Sequence, residues 1–343
     1  MKILIVKLSA IGDVVLSLPF LAALRHAYPQ ASISWVVEEA ASDLLCGHPD
    51  LDRVIIWRRK SWVRAIKQGR IRSAVKDFLT SLQAIRREHY DLVIDLQGLF
   101  KSGLIVYLSG GRRRLGFNRT RELSYLFIND RMPPYDIDRH ALLRYLDVAG
   151  YLGAFREKPE FHLPLNSSAA QVAGQLLSPS ARLMVILNPG AKWPSKLWPL
   201  ESWQELARLL TAQSNLQVVL TGAGDEVVFN QKIAADLHGV IDLTGRTGLR
   251  VLAEIFRRAA VVICPDTGPM HLAAAVGTPV VALFGPTAPW RTGPFGPHHV
   301  IVKTNIACSP CFWKKCPEAE CMSLIKPGDV LLAIDDVLKN RAL

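Results

Sequence analysis

The chain has 343 residues, 50% of them apolar and 21% charged, an ordinary globular composition with length enough for two domains that each bury a core. Its 41 Lys and Arg outnumber its 30 Asp and Glu, for a formal charge of +11. Such an excess points to an anionic partner, whether nucleic acid, an acidic lipid surface or a phosphorylated substrate. A secretory leader is not expected, because Lys7 cuts the apolar run Ile3-Leu4-Ile5-Val6 and Asp13 lies where a leader would still be apolar. No run approaches the ~18 apolar residues of a spanning helix, so a cytoplasmic protein with peripheral membrane contact at most is expected.

Apolar β-rich runs alternating with amphipathic helices predict a doubly wound α/β fold. A strand is expected at 2–6, then a helix over about 14–28, a strand at 32–37, a helix near 40–46 and a strand at 53–56. A long helix over 71–88 precedes a strand at 92–96, and 112–130 reads as basic and turn-rich. Proline and polar residues mark 158–180 as a linker. The rhythm then restarts with strand 183–188, helix 200–211, strand 217–221, helix 226–237, strand 240–243 and helix 249–258. A strand at 260–264, a short small-residue helix and a second apolar strand follow, and the last helix spans about 327–339 with Pro327 in its first turn, where a missing N–H costs nothing. The expected organisation is a Rossmann-like domain over 1–165, a second over 180–326 and a terminal helix over 327–343, with ligands at the strands' carboxyl ends facing a central cleft.

The segment from Cys264 to Thr287 is the most informative. A strand runs into Asp266-Thr267-Gly268, a short helix carries His271, and another strand ends in Gly285-Pro286-Thr287. Unpaired N–H groups and the positive end of a helix dipole bind phosphates and sugar hydroxyls there, which reads as a nucleotide-sugar site. Asn188-Pro189-Gly190-Ala191-Lys192-Trp193-Pro194-Ser195-Lys196 follows the first strand of the second half. Gly190 permits close approach, and Lys192 and Lys196 suit a leaving pyrophosphate, unless they are merely solvated loop lysines. Glu226, in Thr221-Gly222-Ala223-Gly224-Asp225-Glu226, suits ribose hydroxyls or is favourable first-turn charge. In the first half, Gly12 turns the chain out of the opening strand and Asp13 opens the next helix, as a cap or as a general base facing the cleft.

Two basic clusters, 53–72 with Arg58, Arg59, Lys60 and Arg64, and 112–121, are either solvated faces or sites for a phosphorylated or carboxylated acceptor or an anionic leaflet. Cys308, Cys311, Cys316 and Cys321 are spaced Cys-x2-Cys-x4-Cys-x4-Cys. They fit zinc, an iron–sulfur cluster or reduced thiols, and a cytosolic setting disfavours stable disulfides.

Taken in order, 7–13 with Leu18-Pro19, Trp35-Val36-Val37-Glu38-Glu39, 91–98 with Lys101-Ser102, Lys196-Leu197-Trp198-Pro199 and Asp266-Thr267-Gly268 with His271 resemble the lipopolysaccharide heptosyltransferases of glycosyltransferase family 9. The Trp-Val-Val-Glu-Glu and Asp-Leu-Gln-Gly-Leu-Phe-Lys-Ser runs lean towards the first heptosyltransferase rather than the second. The resemblance implies a GT-B fold and inverting transfer of L-glycero-D-manno-heptose from ADP-heptose to a Kdo sugar of Kdo2-lipid A, at the cytoplasmic face of the inner membrane, with no cofactor required. It implies Asp13 as base, Lys196 on donor phosphate, Glu226 on the ribose and Thr247 on the nucleoside. Asp266, Thr267, Gly268 and His271 are implied for heptose and pyrophosphate, and Arg121 with the basic cluster for the acceptor. Relatives carry a Thr pair where this chain has Ala191-Lys192, and the four-cysteine segment is not part of the best-known pattern. Alternative readings are a family-9 transferase with a different acceptor, a redox or cluster protein, and a basic Rossmann protein binding nucleic acid. Against the last, no RNA-binding aromatic signature is present, so no nucleic-acid partner is expected.

Overall fold

The computed structural model describes residues 1–118, 122–177 and 180–341, which form two compact units, Met1–Pro164 and the chain from Leu165 on. In the first unit, β1 (Lys2–Val6), β2 (Ser32–Glu38), β3 (Arg53–Trp57), β4 (Leu92–Asp95), β5 (Arg113–Gly116) and β6 (Asp130–Arg131) pair in the order β3-β2-β1-β4-β5-β6. Every neighbouring pair is parallel. Ile3, Leu4, Ile5 and Val6 are all fully buried, as a parallel strand covered by helices on both faces requires. The helices are α1 (Ile11–Leu16), α2 (Leu18–Ala27), α3 (Glu39–Ser42), α4 (Arg59–Lys67), α5 (Ile71–Arg86), α6 (Phe100–Leu108) and α7 (Ala141–Tyr151).

Several differences from the sequence expectation have local causes. The helix expected over 14–28 breaks at Ser17, because Pro19 in the first turn of α2 has no N–H to donate backwards. Ser17 closes the end of α1 instead, its Oγ donating to the carbonyls of Asp13 and Val14 at 3.0 and 2.8 Å. The charge run after β3 conceals α4, whose one buried side chain, Trp62, meets Trp57 and Phe78 edge-on at 4.8 and 5.6 Å.

The boundary between the two units, at Pro164, falls within the linker expected over 158–180, but part of that stretch is helical: α8 (Ser167–Leu176) starts soon after it. Asn166 caps it by accepting from the Ala169 N–H at 2.8 Å, and Arg258 donates to the Ala170 carbonyl at 2.7 Å. The stretch before it is pinned to the first unit: His162 Nδ1 lies 2.6 Å from Asp50, and its carbonyl 2.8 Å from His48 Nε2.

In the second unit β7 (Leu183–Leu187), β8 (Leu216–Leu220), β9 (Ile241–Asp242), β10 (Val261–Pro265), β11 (Val280–Phe284) and β12 (Val300–Lys303) pair in the order β12-β11-β10-β7-β8-β9. These pairs too are all parallel. The remaining helices are α9 (Leu200–Thr211), α10 (Val227–Ala234), α11 (Leu249–Arg258), α12 (Gly268–Ala275), α13 (Pro289–Thr292), α14 (Glu320–Ser323) and α15 (Pro327–Arg341). In both sheets the order reverses beside the first strand, the Rossmann arrangement, and the carboxyl ends of β1 and β4, and of β7 and β10, bracket the two switch points. Val330 and Ile334 bring α15 into the same core as Trp198 and Trp203.

Trp198 is buried, stacks edge-on with Trp203 at 4.9 Å and donates its indole N–H to the Ile325 carbonyl at 3.0 Å. Trp198→Ala is expected to cost about 3–5 kcal/mol, through lost burial and an orphaned carbonyl. Denaturant unfolding checks this, and a loss below about 1 kcal/mol contradicts the packing.

Candidate active site

At the first switch point a lysine lies beneath the loop that leaves β1. Lys7, 2% exposed, donates to the Leu96 carbonyl at 3.2 Å and to the Tyr145 hydroxyl at 2.7 Å. Burial pulls its pKa down, against the opposing pull of Asp13 and Asp95. Tyr145 in turn donates to Asp13 Oδ1 at 3.3 Å, and Lys7 Nζ is 4.0 Å from that oxygen. Burial, with the Asp13 charge, drives the Tyr145 pKa well upward, so the phenol keeps its proton. The other oxygen of Asp13 accepts from the Ala10 N–H at 3.2 Å.

The helix that Asp13 was expected to open begins at Ile11 and places Asp13 in its third position, while Gly12 is buried within the first turn rather than forming the bend. Asp13 therefore serves as a capping group while one edge of its carboxylate is fixed by a phenol. It is partly exposed.

The loop after β4 locks this arrangement. Gln97 Oε1 accepts from the N–H groups of Leu8 and Ser9, both at 3.1 Å, joining the loops on either side of the switch point. Gln97 is itself held because Asp95 accepts from the Gln97 and Gly98 N–H groups and from Ser102 Oγ at 2.9–3.1 Å. Burial raises the Asp95 pKa against those hydrogen bonds. Beyond it, Lys101 donates to Glu38 at 3.0 Å and to Ser9 Oγ at 3.3 Å, and Arg59 donates to Glu38 at 3.1 Å. Arg58, Lys60 and Arg64 are exposed around the same end of α4. Arg121 lies outside the described residues.

At the second switch point Lys196 Nζ donates to Asp266 Oδ2 at 2.7 Å and to the Asp266 carbonyl at 3.0 Å. The ammonium also lies 4.6 Å from the Trp193 ring centre, and Lys314 lies 5.5 Å from the same ring. Thr267 precedes α12, Gly268 is its first residue, and His271 is buried within it. On the β8 side, Glu226 folds back to accept from the Ala223 N–H at 2.8 Å. A methyl on Gly190 would fall 1.7 Å from its Oε1, so the close approach that Gly190 permits is by this carboxylate. Burial raises the Glu226 pKa, with a contribution from Asp225. Ala191 and Thr247 are half-buried and Lys192 is exposed.

Of the readings left open for the four-cysteine segment, the metal or cluster one is not supported. Among the described residues no group of three or more His, Cys, Asp or Glu is arranged to hold a metal ion, and all four thiols are free. The segment braces the site instead. Ser195 Oγ donates to the Trp313 carbonyl at 2.6 Å, Ser309 Oγ donates to the Gly285 carbonyl at 2.6 Å, and the Phe312 N–H donates to the Pro286 carbonyl at 2.8 Å. Burial, and then the neighbouring thiols, push the Cys321 pKa up.

A profile for glycosyltransferase family 9 (heptosyltransferase) matches residues 79–322. Lipopolysaccharide heptosyltransferase 1 of Pseudomonas aeruginosa is 31% identical over 326 residues, which cover 92% of this chain and 87% of the relative. The chain belongs to glycosyltransferase family 9. Two solved structures of the E. coli heptosyltransferase WaaC align over most of it. That with ADP has a TM-score of 0.78 at 28% identity, over 98% of this chain and 100% of its own. That with ADP-2-deoxy-2-fluoro heptose has a TM-score of 0.77 at 26% identity, over 98% and 99%. The fold is GT-B with two Rossmann-like domains, and the protein is a glycosyltransferase.

Tyr145 was not singled out by sequence, and Gln97, Lys101 and Lys314 were assigned no role there. Tyr145 lies 132 positions from Asp13, beyond the reach of any local motif. Lys101 and Gln97 were inside a quoted run, and only their placement shows what they hold.

Glu38 carries a pH consequence. Burial alone would raise its pKa, but the hydrogen bonds and charges of Lys101 and Arg59 outweigh burial and hold it below the ordinary value. A depressed carboxylate stabilises the fold above its unfolded pKa, and that contribution is lost as pH falls through the folded value. Between about pH 5.5 and about pH 3.5 the native chain is expected to lose more unfolding free energy than Glu38→Gln; equal losses would mean the ion pairs contribute nothing.

Proposed function

We propose that this glycosyltransferase moves L-glycero-D-manno-heptose from ADP-heptose to a Kdo residue of Kdo2-lipid A, in assembly of the lipopolysaccharide inner core at the cytoplasmic face of the inner membrane. The observation that carries the reading is the pairing of a held carboxylate in one Rossmann-like domain with a cation-rich switch point in the other. Its support is the likeness of the whole chain to heptosyltransferase 1 and to WaaC bound to ADP and to an ADP-heptose analogue.

Asp13 is the base. Its Oδ1 is oriented by Tyr145 and its Oδ2 by the Ala10 N–H, and the carboxylate takes the proton of the attacking acceptor hydroxyl. As that oxygen bonds to the anomeric carbon, the bond to ADP breaks and the diphosphate leaves with the electron pair. The transition state is oxocarbenium-like and the anomeric centre inverts, as in inverting glycoside chemistry. Lys196 shifts from Asp266 towards the diphosphate, with Lys314 on the same tryptophan and the amino end of α12 adding positive potential. Asp266, Thr267, Gly268 and His271 bind heptose and pyrophosphate, while Glu226 takes the ribose and Thr247 the nucleoside. The Ala191 N–H and the Lys192 ammonium replace the Thr pair of relatives. Arg58, Arg59, Lys60, Arg64 and Arg121 meet the carboxylates and phosphates of the acceptor. Leaving-group charge is assigned to lysines, so the proposal needs no cofactor.

Product formation from ADP-heptose and Kdo2-lipid A tests the reading, and activity is expected to survive EDTA. Asp13→Asn is expected to lower kcat by about 10²–10⁴ with ADP affinity unchanged; a mutant that binds ADP poorly but turns over normally would remove Asp13 from the base role. Gly190→Ala is expected to do the reverse. Its methyl displaces the Glu226 carboxylate, so ADP binding by calorimetry weakens about tenfold, the ~1.4 kcal/mol of one hydrogen bond to a charged group. Unchanged ADP affinity would separate Glu226 from the ribose.

A further inference from the structure

The helices between β3 and β4 carry more apolar surface than the fold consumes. On α5, Ala74, Leu82 and Ile85 are buried in the core of the first unit and Phe78 packs beside them. A second stripe at i, i+4 and i+8 faces solvent: Ile71, Val75 and Leu79 are 55%, 47% and 48% exposed. Val63 and Ile66 are likewise exposed on α4, which packs against α5. A helix needs one apolar face to hold its place on a sheet; a second one, open to water, marks a surface that something apolar covers.

The charge around the stripe identifies the occupant. From Arg58 to Lys76 the sequence holds eight Lys and Arg and no acid. Lys67, Arg72 and Lys76 are exposed beside the stripe. Apolar side chains flanked by cations on a short amphipathic helix match the boundary between phosphate headgroups and acyl chains. The surface continues beyond α5, which packs against α6, where Phe100 and Tyr107 are exposed. The neighbouring turn at Ser124–Leu126, packed on α6, exposes Leu123 and Leu126. The other side of the sheet differs, because the apolar residues of α2 from Leu18 to Leu24 are all buried. Among the described residues no helix is long and apolar enough to cross a membrane.

We propose that the α4–α5 hairpin docks on an anionic bilayer, with Ile71, Val75 and Leu79 entering the headgroup boundary and Lys67, Arg72 and Lys76 meeting lipid phosphates. This deepens the functional reading above and rests on its lipid-linked acceptor. Cosedimentation of the full chain with vesicles of phosphatidylethanolamine and phosphatidylglycerol, against vesicles of phosphatidylcholine alone, tests it. The native chain is expected to pellet with the anionic vesicles and to be released by salt. Val75→Asp with Leu79→Asp is expected to lower partition at least about tenfold, and Lys76→Ser, which keeps the apolar stripe, to weaken the salt-sensitive part. Both variants are expected to transfer heptose normally to a de-acylated, water-soluble acceptor, a readout that reports on the functional reading separately. Pelleting of the aspartate variant like the native chain, or no native binding, overturns the proposal. Dimerisation of the native chain without vesicles, abolished by the aspartates, assigns the stripe to a second copy instead.

Discussion

A parallel sheet whose strand order reverses leaves its two central strands ending side by side, with their loops diverging to opposite faces. Nothing in the backbone ladder ties those loops together, so side chains must. In the first unit Gln97 does this by accepting from both N–H groups that follow β1, with Lys7 beneath it reaching the Leu96 carbonyl. In the second, Lys196 follows β7 and holds both the carboxylate and the carbonyl of Asp266 after β10. Asp13, Lys196 and Asp266 are held, directly or through one neighbour, by these bridges.

Neither lysine is well explained by stability. Removing an ammonium from water costs several kcal/mol, and a buried pair seldom returns more than a well-packed apolar substitute. Their surroundings divide the work differently. Lys196 sits in direct contact with a carboxylate, and a diphosphate offers the ammonium a stronger negative charge than Asp266 does. Lys7 reaches Asp13 chiefly through Tyr145, with 4.0 Å between its nitrogen and the nearer carboxylate oxygen. The phenol fixes the direction of the carboxylate, with the ammonium one step further back.

The sequence rendered the central strands with little loss, because a buried parallel strand is a run of Ile, Leu and Val bounded by glycine or acid. β5 and β6, which fall on the stretch read as turn-rich, and the half-buried edge strand β12 were missed. Helices read less well where charge hid the pattern. The segment at α4 has one buried tryptophan among exposed neighbours, and α8 is held by two small buried alanines; neither shows a strong apolar period. The switch-point loops were legible because their residue types and position relative to the strands coincide, as with Asp266-Thr267-Gly268. What joins those loops was not. The Tyr145–Asp13 contact depends on where α7 docks, and docking is a property of the whole fold. The cysteine spacing left several readings open for a related reason: spacing reports which ligands are available, and geometry decides how they are used. Here the segment meets those loops through the Trp313 carbonyl at Ser195, the Ser309 hydroxyl and the Cys321 thiol at Gly285, and the Phe312 N–H at Pro286.

The α4–α5 hairpin connects this chemistry to the surface. Arg59, at the first turn of α4, donates to Glu38, and Glu38 shares Lys101 with Ser9 in the loop that leads to Asp13. Charge-assisted hydrogen bonds in a partly dry setting are stiff and directional, so the orientation of α4 and the position of that loop are set together. Trp62 between Trp57 and Phe78 fixes the same helix from its inner side. A hairpin braced in this way presents its outer stripe at a defined distance from Asp13. In the proposed function the acceptor's sugar reaches Asp13 while its acyl chains stay in a bilayer, and a rigid hairpin would hold that distance constant where a floppy basic loop would not.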